Sequence, residues 1–234
     1  MNNIEKVVYD LLKHNPKFKI FVRNLYQNLL DIIPTKQIKV FSEFKNFKNY
    51  FFGFHDLNPF SSDNSKLLAN HSMLLNVSPK LNDVLKVGYI NLTNNEFNEI
   101  GISTTWNFHK GARLQWIDEN KVIYNSHFAD GNFNSTIKNL KSKKEEILPA
   151  PIDTVSNNGK LATSFSYSRL EYLMLGYGYL QTDKDNYNEE RGPKRTGISI
   201  IDLESKTINL IFSIRYLVDF AGLNKFAEDR KSVV

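Results

Sequence analysis

The apolar positions of this chain change their spacing part of the way along it. Up to residue 33 they recur at intervals of three and four, a pattern that predicts helix, with Pro16 and Pro34 at the ends of its second half. Beyond residue 50, short apolar runs alternate with polar residues and end in clusters of Asn, Asp, Ser and Gly. The pattern predicts an N-terminal helical segment followed by an all-β region.

A four-residue motif recurs three times, each time at the end of a strand-like run. The copies are Ile90-Asn91-Leu92-Thr93, Lys138-Asn139-Leu140-Lys141 and Ile201-Asp202-Leu203-Glu204. The Asn or Asp side chain can bond the backbone two residues further on, which predicts a tight turn between antiparallel strands. The spacings of 48 and 63 residues are typical of a repeat protein with one propeller blade per copy.

A second repeated device precedes each copy of that motif. It consists of a polar turn, a lysine and an apolar strand, at Asp63-Asn64-Ser65-Lys66, Asp118-Glu119-Asn120-Lys121 and Asn157-Asn158-Gly159-Lys160. An Asn-Gly pair is a strong hairpin signal because a type I′ turn needs positive φ at both central residues. The two devices together predict four strands in each repeat.

The fold class predicted from these repeats is an all-β, partial β-propeller of four-stranded antiparallel blades. The blades are expected at residues 51–103, 104–149 and 150–213, and residues 214–228 are expected to lead into a fourth. Three blades do not close a ring, so the chain is expected either to oligomerise or to be a gene fragment. The first strands of the three blades are predicted at residues 54–58, 113–117 and 152–156.

A long stretch interrupts the third blade between its second and third strands. Residues 166–195 are rich in Tyr, Gly and charged residues and are too long for a hairpin turn. Segments of this length inside a compact domain are usually functional or disordered.

The domain organisation follows from the change of period. Residues 1–40 are predicted to be a basic amphipathic helical arm, and residues 41–228 the partial propeller. The last six residues, 229–234, are predicted to be a non-native tail, because the start of a common sequencing adapter can encode them.

Charge is concentrated in the arm. Residues 1–50 hold nine Lys and Arg against four acids, whereas the remaining chain has 21 of each sign. The arm therefore suits either burial of its apolar stripe against protein, which we favour, or a peripheral contact of residues 1–33 with an anionic membrane. A nucleic-acid partner is not expected, because it would need a basic stripe across the folded surface.

Composition excludes several kinds of chemistry. The chain has no cysteine, which rules out disulfides, thiolate zinc sites and cysteine nucleophiles and agrees with a cytoplasmic location. The five histidines do not form a zinc signature, and there is no glycine-rich phosphate loop or nucleophile elbow. No metal is assigned from the sequence, and a cofactor is left undetermined.

Two sets of residues are candidates for function. His55, Asp56 and His109 are weak catalytic candidates, because inner-strand side chains of separate blades can converge on a propeller axis and His titrates near neutral pH. The ligand-binding candidates combine aromatic rings, which stack on sugars, with guanidinium groups, which pair with uronate carboxylates. They are Trp106, Arg113, Arg169, Tyr177 and Tyr179.

Three stretches of the chain resemble an uncharacterised family of bacterial β-propellers with TolB-type repeats. They are Phe51-Phe52-Gly53-Phe54-His55-Asp56, Trp106-Asn107-Phe108-His109-Lys110-Gly111 with Leu114-Gln115-Trp116, and Ser168-Arg169-Leu170 with Gly176-Tyr177-Gly178-Tyr179. The resemblance implies an association with surface-polysaccharide synthesis. The repeat style is also distantly similar to oligogalacturonate lyase, a seven-bladed propeller whose His and Gln metal ligands lie in later blades.

These observations leave three hypotheses of function. The first is a carbohydrate-associated propeller with a binding or scaffold role near polysaccharide biosynthesis. The second is a metal-dependent lyase that abstracts a proton next to a uronate carboxylate. The third is a protein-interaction propeller attached to the inner membrane through residues 1–33.

Overall fold

A computed structural model of the protein describes residues 21, 24, 25, 27 and 28 and residues 45–74, 78–127, 133–180 and 190–222. The chain forms two compact units, residues 1–46 and residues 47–234. In the first unit, residues 21, 24, 25, 27 and 28 are helical. The rest of the predicted arm and the predicted tail at 229–234 lie outside the described residues.

The strands of the second unit form three antiparallel sheets. The first sheet contains β1 (Tyr50–Phe51), β2 (Lys66–His71), β3 (Leu85–Asn91) and β4 (Phe97–Ser103). The second contains β5 (Gln115–Trp116), β6 (Lys121–His127), β7 (Phe133–Asn139) and β8 (Glu145–Leu148). The third contains β9 (Leu161–Ser164), β10 (Gly197–Asp202) and β11 (Ile208–Ser213).

Each sheet is a meander, because every strand pairs with its neighbours in sequence. Each also lies within one of the three predicted repeats, which confirms the antiparallel all-β class. Two helices accompany the sheets in the described residues: α1 (Tyr167–Leu173), inside the long segment between β9 and β10, and α2 (Ile214–Phe220), directly after β11. The described helices include none that is long and apolar enough to cross a bilayer.

The repeated motif forms the same turn in all three sheets. The side-chain oxygens of Asn91, Asn139 and Asp202 each accept a hydrogen bond from the backbone N–H two residues on, at 2.9, 3.0 and 3.1 Å. The fourth residue after each one has a positive φ of 60–62°, at Asn95, Lys143 and Lys206. The predicted turn is therefore confirmed in each copy.

The second device also repeats in the structure. Asp63, Asp118 and Asn158 accept from the N–H two residues on, at 3.0, 2.8 and 3.1 Å. The strand begins three residues after each of them, at Lys66, Lys121 and Leu161.

The predicted first strands are less regular than the other strands. In the first sheet, residues 54–58 are not a strand; β1 lies earlier, and residues 52–59 leave the sheet before Phe60 forms a single bridge with Leu67. The Asn70 side chain on β2 donates to the carbonyl of Phe52 at 2.5 Å, where a paired strand would use a backbone N–H. This bond holds the loop away from β2. The prediction of a strand over residues 54–58 is therefore wrong.

A further correction concerns the third sheet. In the described residues it has three strands rather than four. Residues 153–156 make backbone hydrogen bonds to Leu161 and Thr163 of β9, and Val155 bridges Ala162, but the segment does not form a continuous strand. Residues 214–220, in the stretch predicted to lead into a fourth blade, form α2.

Apolar cores fill the spaces between consecutive sheets. Between the first and second sheets the buried side chains include Leu68, Leu85, Val87, Val122 and Tyr124. Between the second and third sheets they include Ile123, Ile137, Leu148, Ala162 and Ile201. Alternate residues of β6 thus face the two neighbours of the second sheet, as expected for a strand with both faces covered.

Candidate functional site

One buried guanidinium connects the beginnings of all three sheets. Arg113 is 0% exposed, and its two terminal nitrogens each donate to one carboxylate oxygen of Asp56 at 3.0 Å. Its Nε donates to the carbonyl of Asp153 at 2.7 Å, and one terminal nitrogen also donates to the hydroxyl of Thr154 at 3.1 Å. Since these partners come from the first and third repeats, Arg113 links three segments that are far apart in sequence.

The electrostatics of this network favour the charged forms. Burial raises the pKa of Asp56, but the hydrogen bonds and the charge of Arg113 outweigh burial and hold that pKa below its ordinary value. Burial lowers the pKa of Arg113, and the hydrogen bonds that it donates to Asp56, with the negative charges around it, outweigh burial and raise that pKa. The pair is therefore ionised, and its bidentate geometry is the one that Arg and carboxylates prefer.

Lys110 extends the network towards the surface. Its Nζ lies 3.4 Å from a carboxylate oxygen of Asp153, which also accepts a hydrogen bond from the Tyr167 hydroxyl at 3.0 Å. The same Nζ lies 5.1 Å from the centre of the Phe165 ring and 5.7 Å from that of Tyr167. These distances suit cation–π contacts.

Four aromatic rings form a row next to this network, which we call the aromatic ladder: Phe165, Tyr167, Tyr179 and Phe133. Phe165 stacks on Tyr167 at 4.6 Å, Tyr167 stacks on Tyr179 at 4.1 Å, and Phe133 meets Tyr179 edge-on at 5.7 Å. The two tyrosines are buried, and burial raises the pKa of each above its ordinary value. The two phenylalanines are half-buried and end the ladder.

The ladder depends on the long segment between β9 and β10. α1 begins at its N-cap Ser166, whose side chain accepts from the backbone N–H of Arg169. The Glu171 carboxylate on this helix accepts from the N–H groups of Gly176 and Gly178 at 2.9 and 3.1 Å. A Cβ at Gly178 would lie 2.1 Å from the carbonyl oxygen of Tyr167, so only glycine fits there. This close approach brings Tyr179 onto Tyr167.

The loop before β5 holds the other side of the same segment. The Asn107 amide donates to the carbonyls of Tyr177 and Gly178 at 3.1 and 2.9 Å. The His109 ring stacks on the Tyr177 ring, with centres 4.3 Å apart and planes 5° apart. Two of the resembling stretches, Trp106–Gly111 and Gly176–Tyr179, therefore contact each other.

A groove of about 810 Å³ lies between the second and third sheets, beside the ladder. Phe133, Phe165 and Tyr167 of the ladder line it, together with Arg195 at the start of β10. Hydroxyl groups supply much of the remaining polar wall, from Ser164, Ser166, Ser168, Thr196 and Ser199. The groove thus combines aromatic rings, hydroxyls and a guanidinium along one open surface.

The structure places the five predicted ligand-binding residues in different locations. Tyr179 belongs to the ladder, and Arg113 lies in the network that supports it. Tyr177 is half-buried under His109. Trp106 is 3% exposed, packs in the core between the first two sheets and donates to the carbonyl of Asp83 at 2.7 Å.

The remaining candidates are Arg169, Asp56 and His55. Arg169 is 5% exposed and lines a separate pocket, discussed below. Of the weak catalytic candidates, Asp56 pairs with Arg113, whereas His55 is exposed and packs against the ring of Phe54 at 4.3 Å.

Phe133, Phe165 and Arg195 were not among the predicted site residues. Phe165 and Arg195 flank the long segment of the third repeat, and the alternation of aromatic and hydroxyl residues in Phe165-Ser166-Tyr167-Ser168 was a signal that could have indicated the groove. Phe133 has no comparable signal, because its role comes from a contact with Tyr179 across 46 positions of sequence.

The lyase hypothesis requires ligands for a metal ion. Within the described ranges, no three His, Asp or Glu side chains are grouped so that they could hold one. The described residues therefore do not supply a ligand set for such a metal.

Comparison with known proteins adds no family: no protein-family model and no curated protein matches the chain.

Proposed function

We propose that the three sheets are consecutive blades of a β-propeller and that the protein is a carbohydrate-binding member of that class. The blade interpretation is supported by the meander order of each sheet and by the turns that recur with the same hydrogen bonds. It is also supported by Arg113, which joins the first strands or their equivalents in all three repeats.

The observation that carries the carbohydrate proposal is the groove. Half-buried rings at both ends of the aromatic ladder offer apolar faces to the C–H faces of a sugar, while serine and threonine hydroxyls can exchange hydrogen bonds with sugar hydroxyls. The groove is open along its length, which suits a chain of several sugar units. Arg195 adds a donor for the carboxylate of an acidic sugar.

The role that fits this arrangement best is binding or scaffolding. The groove presents hydroxyl and aromatic contacts, and the carboxylates nearest to the ladder, Asp153 and Asp56, are engaged by Arg113 and Lys110. A carboxylate that is paired in this way is a poor base. The resemblance to propellers associated with polysaccharide synthesis agrees with a binding role.

Calorimetric titration of the full chain with polygalacturonate and with dextran tests the proposal. We expect the acidic polymer to bind and Arg195→Ala to weaken that binding roughly tenfold or more, the magnitude of a lost charge-assisted hydrogen bond. The matched control is Arg191→Ala, which removes an exposed arginine that does not line the groove. If neither polymer binds, or if Arg195→Ala and Arg191→Ala lower the affinity equally, the proposal is contradicted.

The same samples separate the alternative functions. A lyase would release products that absorb in the ultraviolet because they carry an unsaturated uronate, and a chelator would abolish that release. A membrane-attached interaction module would bind anionic vesicles and neither polymer. We expect neither of these results.

A further inference from the structure

A second pocket lies beside the sugar groove, between the third sheet, α1 and α2. Its volume is about 340 Å³, within the roughly 300–1,000 Å³ typical of small-molecule pockets. Most of its wall is apolar, from Phe165, Leu170, Ile198, Ile214 and Leu217. Phe165, Ser166, Thr196 and Gly197 line both the pocket and the groove, and no residue of the predicted catalytic set lines the pocket.

Two cationic side chains reach this apolar wall from different parts of the chain. Arg169 comes from α1 and is 5% exposed, and Lys110 comes from the loop before β5 and has a side chain 16% exposed. Asp153 pairs with Lys110 at 3.4 Å, and a ligand carboxylate would add an anion that both cations can reach in a wall that is otherwise mostly apolar. Among the described residues that line it, the other polar wall groups are the hydroxyls of Ser166 and Thr196 and the backbone of Gly197.

The protein fixes the backbone of Arg169 and the side chain of Lys110. Arg169 is in the first turn of α1, where its backbone N–H is bonded by the capping hydroxyl of Ser166 at 3.2 Å. Lys110 is oriented by Asp153 and by the Phe165 ring. A guanidinium has five N–H donors, so Arg169 can receive a ligand carboxylate in addition to partners within the protein. A site that is organised in advance loses little entropy when it binds.

We propose that this pocket binds a small apolar carboxylate, with its hydrocarbon part against the five apolar side chains and its carboxylate between Arg169 and Lys110. The apolar part supplies affinity by burial, and the two cations select an anion over a neutral molecule of the same shape. The proposal does not rest on the carbohydrate function, because the pocket and the groove have different cationic residues and different ligand chemistry.

Calorimetric titration of the full chain with hexanoate and with hexanamide tests this assignment. The two probes have nearly the same shape, and only the first is charged. We expect hexanoate to bind roughly tenfold or more tightly than hexanamide, because hydrogen bonds to charged groups contribute more than neutral ones. Equal affinities for the two probes, or no binding of hexanoate, would overturn the proposal.

Two variants locate the binding. Arg169→Met and Lys110→Met keep most of the side-chain volume and remove the charge, and each is expected to weaken hexanoate binding roughly tenfold. Lys194→Met is the control, since Lys194 is exposed and does not line the pocket. If Arg169→Met does not fold, which its thermal unfolding curve would show, Lys110→Met decides. Unchanged hexanoate affinity in a folded Lys110→Met protein would overturn the assignment.

Discussion

At the scale of single residues, Arg113 is the most constrained side chain of the site. It is fully buried, makes a bidentate pair with Asp56 and adopts a positive φ of 53°, a conformation that L-residues rarely adopt. Such conformations persist only when surrounding contacts over-determine them. The contacts here come from the first and third repeats, so the strained residue lies where three repeats meet.

Arg113→Met is expected to lower the free energy of unfolding by about 3 kcal/mol, because it removes the charge partner of the Asp56 carboxylate and leaves the Asp153 carbonyl with only the bond from Gln115. Urea unfolding monitored by circular dichroism measures the change. The control is Lys86→Met, which breaks the exposed pair of Lys86 with Glu99 and is expected to cost about 1 kcal/mol or less. Similar losses in the two variants would show that Arg113 is not a structural centre.

At the scale of elements, the repeated turn explains why the three sheets resemble each other. In each copy the backbone N–H of the residue with positive φ bonds the carbonyl of the turn Asn or Asp, at 2.7, 2.9 and 2.9 Å. The residues with positive φ are Asn95, Lys143 and Lys206. None is glycine, although glycine adopts this conformation at the lowest steric cost.

Lys143→Gly is therefore expected to raise the free energy of unfolding by about 0.5–1 kcal/mol, since the left-handed conformation of Lys143 is strained and its side chain is exposed. Lys141→Gly, two residues earlier in the same turn and without positive φ, is expected to lower it by about 0.5–1 kcal/mol. Urea unfolding of both variants measures the difference. A loss of stability in Lys143→Gly would contradict the assigned turn geometry.

At the scale of the whole second unit, side-chain amides bonded to backbone groups join one sheet to the next. The buried Asn125 donates to the carbonyl of Ile152 at 2.9 Å and accepts from its N–H at 2.7 Å, as a neighbouring strand would. Gln115 bonds the carbonyl of Asp153 and the N–H of Val155 in the same way. These bonds engage residues 152–155 from the second sheet, while Asp153, Thr154 and Ser156 bond the backbone of β9, so this segment belongs to the boundary between the two sheets.

Asn125→Ala should lower the free energy of unfolding by about 3 kcal/mol, because it removes the partner of the buried Ile152 N–H and leaves the Ile152 carbonyl with only the 3.3 Å bond from the Tyr167 hydroxyl. Since Asn125 bonds across the boundary between sheets, hydrogen exchange should accelerate in β9 as well as in β6. Asn98→Ala, at an exposed position of β4, is the control and should change stability by about 0.5 kcal/mol or less. Faster exchange confined to β6 would show that the two sheets open independently.

Much of the fold could be predicted because its signals are local. The turn at Asn139, for example, is specified by the residue itself and the next few positions, and the alternation of β6 follows from two buried faces. The error at residues 54–58 has a different origin. The local sequence favours a strand there, but the Asn70 side chain donates to the Phe52 carbonyl in place of the backbone N–H of a paired strand.

The candidate site was predicted only in part for the same reason. Arg113, Arg169 and Tyr179 were recognised by residue type. The sequence does not reveal that Arg113 forms an ion pair, that Arg169 lines a pocket or that Tyr179 lies inside the aromatic ladder. Phe133 and Arg195 acquire their positions through contacts between sheets.

By itself the sequence determined the all-β class, the three repeats and their turns, because each depends on periodicity and on hydrogen bonds within a few residues. Only the tertiary structure decided which side chains form the groove and the second pocket, because those surfaces are built from residues of different repeats. Their positions depend on packing across sheet boundaries, which no local pattern encodes.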